Sequence, residues 1–283
     1  MGRILLFVLI LAALSCEDRS SPPGTTDTVR SPQIRFDKRS EFGRILVVDE
    51  GGMRNLRFGT EDAGNQSTIS LSSPSAVPME YIRFAMLGMA LTPQRERALM
   101  IGLGGGAFTT LLRRHYSTLW IDVVEINPVV VEAAKRFFGV REDPRFRIHI
   151  EDGAAFIQRT QRLYDLIFLD VHTGDAMPEH LATVEFFNGV KANLSTGGVA
   201  VLNVWDEGER ETLIKRSFRA TFPATACIRS TDGFNLVLFG KALGTMPAHA
   251  DLVTAARQLT SDLGLFFDLA KVAERLRIEC SGP

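Results

Sequence analysis

Ala98–Pro128, ALMIGLGGGAFTTLLRRHYSTLWIDVVEINP, decides the fold. Leu99 to Gly102 is a short apolar run ending in glycine, as a strand buried on both faces requires. Gly102, Gly104, Gly105 and Gly106 allow a sharp turn and a close backbone approach, and a helix from Ala107 would aim its free N–H groups back at that turn. A second apolar run, Leu119 to Val124, ends in Glu125. An acidic side chain about 20 residues past such glycines is placed to accept both hydroxyls of a ribose, so the unit predicts a bound nucleoside.

Toward the C-terminus the alternation continues. Asn127-Pro128 opens a helix through Phe138, with proline at a first-turn position. Phe146 to Ile150 reads as a third strand, closed by Glu151-Asp152-Gly153, and Ala154 to Arg162 as a helix. Tyr164 to Val171 is a fourth strand, Leu181 to Leu194 a helix, Gly197-Gly198 a turn and Val199 to Val204 a fifth strand. Strands and helices alternating at this spacing predict an α/β, Rossmann-like doubly wound parallel sheet. Beyond it come a helix over Glu209 to Thr221, strands around Ala224 to Arg229 and Asn235 to Phe239, and helices between Ala250 and Leu276.

Toward the N-terminus, Glu80 to Ala90 reads as a helix carrying Tyr81, ended by Pro93. From Gln33 to Leu71, short apolar runs such as Arg44 to Asp49 and Asn55 to Phe58 are separated by Gly51-Gly52 and by a polar stretch, which predicts a small β subdomain. Residues 17 to 32 lack hydrophobic side chains apart from Val29 and read as a tether. Residues 1 to 16 hold Arg3, an apolar run from Ile4 to Leu14, and Ser15-Cys16. That run is short for a bilayer span but has the length of a signal-peptide core. It resembles a lipoprotein signal with Cys16 as the lipidated residue, and a short hydrophobic anchor is the alternative. The expected divisions are therefore 1–16, 17–32, 33–75, 76–245 and 246–283. A location at the cell envelope, membrane-attached through the N-terminus, follows if the leader acts as one, and a cytoplasmic location if it does not.

The 283 residues carry a net charge of −1 with interspersed signs, which leaves no electrostatic footprint for nucleic acid. The five histidines are scattered and the three cysteines lie far apart, without metal-ligand spacing, so no metal is expected. Cys227 and Cys280 either pair in an oxidising compartment or remain buried thiols.

Three carboxylates fall at the ends of successive strands: Glu125, Asp152 and Asp170. Ligands of open α/β sheets bind beyond those ends. Asp152 suits an adenine amino group and equally a helix N-cap. Asp170 follows four apolar residues, where a lone carboxylate is costly to bury and a transferred group would have to lie.

GLGGGA at 102–107, VVEINP at 123–128, EDGAAF at 151–156 and YDLIFLD at 164–170 together resemble the S-adenosylmethionine-binding Rossmann-like fold of class I methyltransferases. More closely they resemble the spermidine synthase (polyamine aminopropyltransferase) family. The resemblance implies S-adenosylmethionine or its decarboxylated form as co-substrate, without metal. Gly102, Gly104, Gly105 and Gly106 would face its methionine part, Glu125 the ribose, and Asp152 with Gly153 the adenine. It also implies a small-molecule amine acceptor near Tyr81 and a homodimer through the N-terminal region. Two positions depart from the family pattern. Gly105 stands where an acidic residue binds the donor's amine, and the family's DxxD is here Asp170-Val-His-Thr173. A protonated amine must lose a proton before attack, so Asp170, Asp175 and His172 are the candidate catalytic groups. His180 and Glu185, in the run Pro178 to Phe187, are candidate substrate contacts. Three functions follow: aminopropyl transfer to an amine, methyl transfer from S-adenosylmethionine to a small molecule, or non-catalytic nucleoside binding at the envelope. A nicotinamide dehydrogenase would need neither Asp152 nor the Asp170 motif.

Overall fold

The computed structural model describes residues 31–73, 76, 78–172, 176–205 and 208–278. Residues from Ser31 onward form one compact unit. The leader and tether, Cys16 among them, lie outside the described residues. Among the described residues no helix is long and apolar enough to cross a membrane.

Four strands, β1 (Gln33–Ser40), β2 (Gly43–Glu50), β3 (Met53–Phe58) and β4 (Asn65–Ser70), form an antiparallel meander in chain order. Two short helices follow, α1 (Glu80–Ala85) and α2 (Leu87–Leu91), where the sequence suggests one. The α2 helix lies so close to the main sheet that a Cβ at Gly88 would sit 2.6 Å from Leu166 and 2.8 Å from Val201.

The main sheet is built from β5 (Arg97–Ile101), β6 (Trp120–Glu125), β7 (Phe146–Ile150), β8 (Tyr164–Leu169), β9 (Leu194–Trp205), β10 (Ala224–Arg229), β11 (Asn235–Lys241) and β12 (Arg277–Ile278). Its order is β12-β10-β11-β9-β8-β5-β6-β7. Strands β9, β8, β5, β6 and β7 run parallel, and β11, β10 and β12 add antiparallel pairs, so the sheet is mixed. The β9 strand runs unbroken through Gly197-Gly198, where a turn is expected. A Cβ at Gly198 would stand 2.9 Å from the Tyr164 carbonyl oxygen, so glycine is what admits this crossing.

Helices α3 (Ala107–His115), α4 (Pro128–Phe137), α5 (Gly153–Arg159), α6 (Val184–Ala192), α7 (Glu209–Thr221), α8 (His249–Leu263) and α9 (Leu269–Glu274) cover the sheet. Thr183 caps α6 by accepting the Phe186 N–H, which separates it from a short 3-10 turn at Glu179–Leu181. Apolar residues pack on both faces of the sheet. A third cluster joins Ile45, Val47 and Leu56 of the meander to Val129, Val130, Ala133 and Phe138 around α4. This contact fixes the meander over the carboxyl ends of the parallel strands.

Candidate active site

The strand order reverses between β5 and β8, and a cavity of about 300 Å³ opens beyond that point. Gly102 and Asp170 directly follow the two strands. Gly102 has φ +88°, and a Cβ there would lie 2.1 Å from the Asp170 carbonyl oxygen, so the strand ends meet this closely only with glycine.

One half of the cavity lies over β5, β6 and β7. Glu125 accepts the Leu103 N–H through Oε2 and the Asn127 N–H through Oε1, each at 2.9 Å. Burial pushes its carboxyl upward while these and neighbouring backbone N–H groups pull the other way. Asp152 caps α5 by accepting the Ala155 N–H at 2.9 Å, and its Oδ2 lies 2.9 Å from His180 Nε2. Burial opposes its ionisation, yet the Ala155 N–H and His180 hold it below the usual carboxylate range. Gly102, Gly104, Ile126, Gly153, Pro178, His180 and Leu181 share this wall.

The glycine turn divides in two. Gly104 faces the cavity, whereas Gly105 and Gly106 do not line it. Gly105 donates its N–H to Ser67 Oγ at 2.8 Å, and a Cβ there would meet Ser67 Cβ at 2.7 Å and Phe138 Cδ1 at 3.0 Å. Ser67 of β4 thus fills the space an acidic side chain would need. Gly106, at φ +70°, precedes α3 and packs on Val140.

The other half lies over β8 and β9. Asp170 is enclosed by neutral partners: Tyr81 donates its hydroxyl to Oδ2 at 3.0 Å, and Asn203 Nδ2 donates to Oδ1 at 2.8 Å. Burial raises its pKa despite these two bonds. Burial and the adjacent carboxylate push the Tyr81 phenol well up. Asn203 in turn accepts from Asn235 Nδ2 at 3.0 Å. Tyr81 sits on the six-residue α1, and that helix is fastened at Glu80, which accepts from the Thr231 N–H and hydroxyl and from Arg275.

His172 stacks on Trp205, with ring centroids 4.4 Å apart and planes 21° from parallel. Its Nδ1 lies 3.8 Å from Asp170 Oδ1, and its buried Nε2 meets no hydrogen-bond partner. Burial lowers its pKa to about 3, so the imidazole stays neutral near pH 7 and does not have the ordinary proton affinity expected of it from sequence.

Asp170, His172, Tyr81, His180, Glu125, Asp152, Gly102, Gly104 and Gly153 therefore line one cavity. Glu185 is exposed on α6 and is not among its lining residues. Phe186 and Phe187 are core. Thr173 and Asp175 lie outside the described residues. Phe42, Phe58, Gln66 and Trp205 also line the cavity, and Asn203 holds Asp170 from below it. No local motif announces these five, although Trp205 follows the fifth strand expected over Val199 to Val204, at the end of the sheet where ligands bind. Among the described residues no group of three His, Cys, Asp or Glu could hold a metal. Cys227 is disulfide-bonded, and Cys16 and Cys280 lie outside the described residues.

Residues 81–229 match the family model of the spermine/spermidine synthase domain. A polyamine aminopropyltransferase of Vibrio vulnificus is 30% identical over 224 residues, covering 77% of this chain and 72% of its own. The structure of human methyltransferase-like protein 13 in complex with SAH is similar at TM-score 0.60 and 26% identity, over 66% of this chain and 93% of that one. A spermidine synthase in complex with the transition-state analogue AdoDATO superposes at TM-score 0.66 and 20% identity, over 86% and 83% of the two chains, a likeness of fold.

Proposed function

The chain belongs to the spermine/spermidine synthase family, and from that premise we propose that it transfers the aminopropyl group of decarboxylated S-adenosylmethionine to a small amine. The observation that carries this is the buried Asp170 carboxylate, held by Tyr81 and Asn203 and, among the described residues, without a cationic partner. A buried carboxylate with only neutral neighbours is costly. An ammonium entering the cavity would offset that cost, and the raised pKa suits Asp170 to take up the proton the amine must lose.

The donor would lie over β5 to β7, with its ribose at Glu125 and its adenine at Asp152 once His180 gives way. Its sulfonium carbon would then face Asp170 across the reversal point. The amine nitrogen forms a bond to that carbon as the carbon–sulfur bond breaks. Its electron pair passes to sulfur, leaving a neutral thioether, and the amine proton goes to Asp170. Sulfonium is already an activated leaving group, so positioning and proton acceptance are what the protein must supply.

Methyl transfer from S-adenosylmethionine is a second reading, favoured by Ser67 occupying the space at Gly105, because no acid there selects the donor's free amine. The nucleoside product decides. The purified chain is incubated with each donor and a mixture of amines, and the product is identified by mass spectrometry. Methylthioadenosine supports aminopropyl transfer, S-adenosylhomocysteine supports methyl transfer, and neither nucleoside leaves binding without catalysis. The disulfide at Cys227 supports an oxidising compartment, hence a location at the envelope. Protease accessibility of the chain in spheroplasts tests that.

A further inference from the structure

Asp170, Asn203 and Asn235 form a hydrogen-bonded row across β8, β9 and β11. The parallel register that pairs Leu169 with Leu202 brings Asp170, one residue further on, beside Asn203. In the antiparallel register of β9 and β11, Asn203 pairs with Val237, which places Asn235 diagonally across from Asn203 on the same face. Asn235 Nδ2 donates to Asn203 Oδ1 at 3.0 Å, and Asn203 Nδ2 donates to Asp170 Oδ1 at 2.8 Å. Both amides thus turn their nitrogen ends toward the carboxylate. The backbone of Asn235 is fixed at the base of its hairpin, where its N–H donates to Ser230 Oγ and its carbonyl accepts the Ser230 N–H, each at 2.8 Å.

Asn203 is 1% exposed and lies between the core residues Leu202 and Val204. A buried amide is costly there unless both of its ends are bonded. The two ends are nearly alike in shape, so its bonding partners, and not packing, decide which way it points. An ionised Asp170 only accepts and needs the nitrogen end, whereas a protonated one can donate to the oxygen end. With Asn235 donating to Oδ1, a reversed Asn203 would set two nitrogen ends against each other and leave a buried donor unpaired. The arrangement therefore favours the ionised form of Asp170, against the burial that opposes it.

We propose that Asn235 is a positioning residue, a role that rests on the transferase reading: by holding the nitrogen end of the Asn203 amide toward Asp170, it keeps that carboxylate ready to receive the amine proton. Asn235 does not line the cavity, and its effect passes through Asn203. Among the described residues, the titratable groups around Asp170 are Tyr81 on α1, His172 just after β8, and Glu125 at the end of β6 in the same cavity. Around the hairpin that carries Asn235 the charged groups are Arg229, Asp232, Glu80, Glu211 and Arg275. All of them stay in place in the variants compared below.

The test is a pH titration of the Asp170 carboxyl carbon by NMR in the full chain labelled at aspartate, its signal assigned by its loss in Asp170→Asn. Wild type, Asn235→Leu, Asn203→Leu and the double variant are compared. Asn235→Leu should raise the titration midpoint by at least about 0.5 pH unit, a roughly threefold gain in proton affinity. On the Asn203→Leu background the same change should move it by less than about 0.2 pH unit, because nothing is left for Asn235 to orient. In the transfer assay the acidic limb of kcat/KM for the amine should follow the midpoint, with methylthioadenosine affinity as in wild type. An unmoved midpoint in Asn235→Leu, or equal movement on both backgrounds, overturns the positioning role. Asn235→Asp keeps the shape of the side chain and serves if Asn235→Leu does not fold. Its charge raises the midpoint on both backgrounds, and the rise should be at least about twofold larger where Asn203 is present; equal rises overturn the role. If the midpoint moves as expected but neither donor yields a transferred product, the transferase reading fails and the orientation of Asn203 by Asn235 stands. If transfer proceeds and the midpoint does not move, the positioning role fails and the transferase reading stands.

Discussion

Adding one methyl group at Gly105 tests how the meander and the glycine turn are joined. An alanine Cβ at 105 would lie 2.7 Å from Ser67 Cβ, 3.1 Å from Ser67 Oγ and 3.0 Å from Phe138 Cδ1. Comfortable carbon contacts begin at about 3.5 Å, so the shortfall against Ser67 is about 0.8 Å. Backbone strain is not involved, since Gly105 is not among the glycines with positive φ. Overpacking of this kind costs about 1–3 kcal/mol. Ser67→Gly removes the obstacle but strips the Gly105 N–H of its acceptor at 2.8 Å, leaving a buried donor unpaired at about 1–3 kcal/mol. In the double variant the clash with Ser67 no longer exists, and only the Phe138 contact is left to relieve. The combined loss should therefore fall short of the sum by at least about 1 kcal/mol. Urea unfolding of the four proteins, compared by midpoint at unchanged slope, measures the cycle. Additivity to within about 0.5 kcal/mol, or a Gly105→Ala protein as stable as wild type, would show that Ser67 does not hold this space.

The same packing bears on the donor: Ser67→Gly with Gly105→Asp should shift calorimetric preference toward decarboxylated S-adenosylmethionine by tenfold or more, and an unchanged ratio would remove position 105 from donor choice. Asp170→Asn should abolish turnover without loss of stability. Because burial raises the Asp170 pKa, the native state holds that proton more tightly than the unfolded chain, and the ionised form costs stability as pH rises from about 4 through the raised value. The stability of Asp170→Asn relative to wild type should thus improve between pH 4.5 and 7.5 in urea melts, and a flat difference would contradict the burial argument. Tyr81→Phe removes the hydroxyl that Asp170 accepts and should lower kcat about 10–100-fold, with donor KM little changed, since the contact lies on the acceptor side. Glu125→Gln should weaken methylthioadenosine binding at least about tenfold by calorimetry, close to 1.4 kcal/mol; full affinity would displace the ribose from Glu125.

The half of the cavity over β5 to β7 was legible in the sequence because its parts are local. Gly102, Gly104 and Glu125 lie in one strand–turn–helix–strand unit, and periodicity with a terminal acid is enough to find them. The half over β8 and β9 is assembled by sheet order. Asn203 reaches Asp170 because β8 pairs with β9, 33 residues apart in sequence, and Asn235 follows because β11 pairs antiparallel with β9. Ser67 meets Gly105 across 38 residues through the packing of the meander, a contact no spacing rule anticipates. His172 was visible as a histidine near Asp170, but its neutrality comes from burial, which the linear chain does not display. The extra strands that make the sheet mixed were seen as strands, and only β12, two residues long, left no pattern to read.

The fastening of Glu80 by Thr231 and Arg275 ties the chain's tail end to the helix that carries Tyr81. A helix of six residues cannot hold its own direction in water. Beyond its packing in the core, the helix that carries Tyr81 is tied at Glu80 to a loop and an arginine 151 and 195 residues downstream, neither of which lines the cavity. Sequence drift around residues 229–275 can thus shift the hydroxyl that Asp170 accepts while leaving every residue of the cavity wall unchanged.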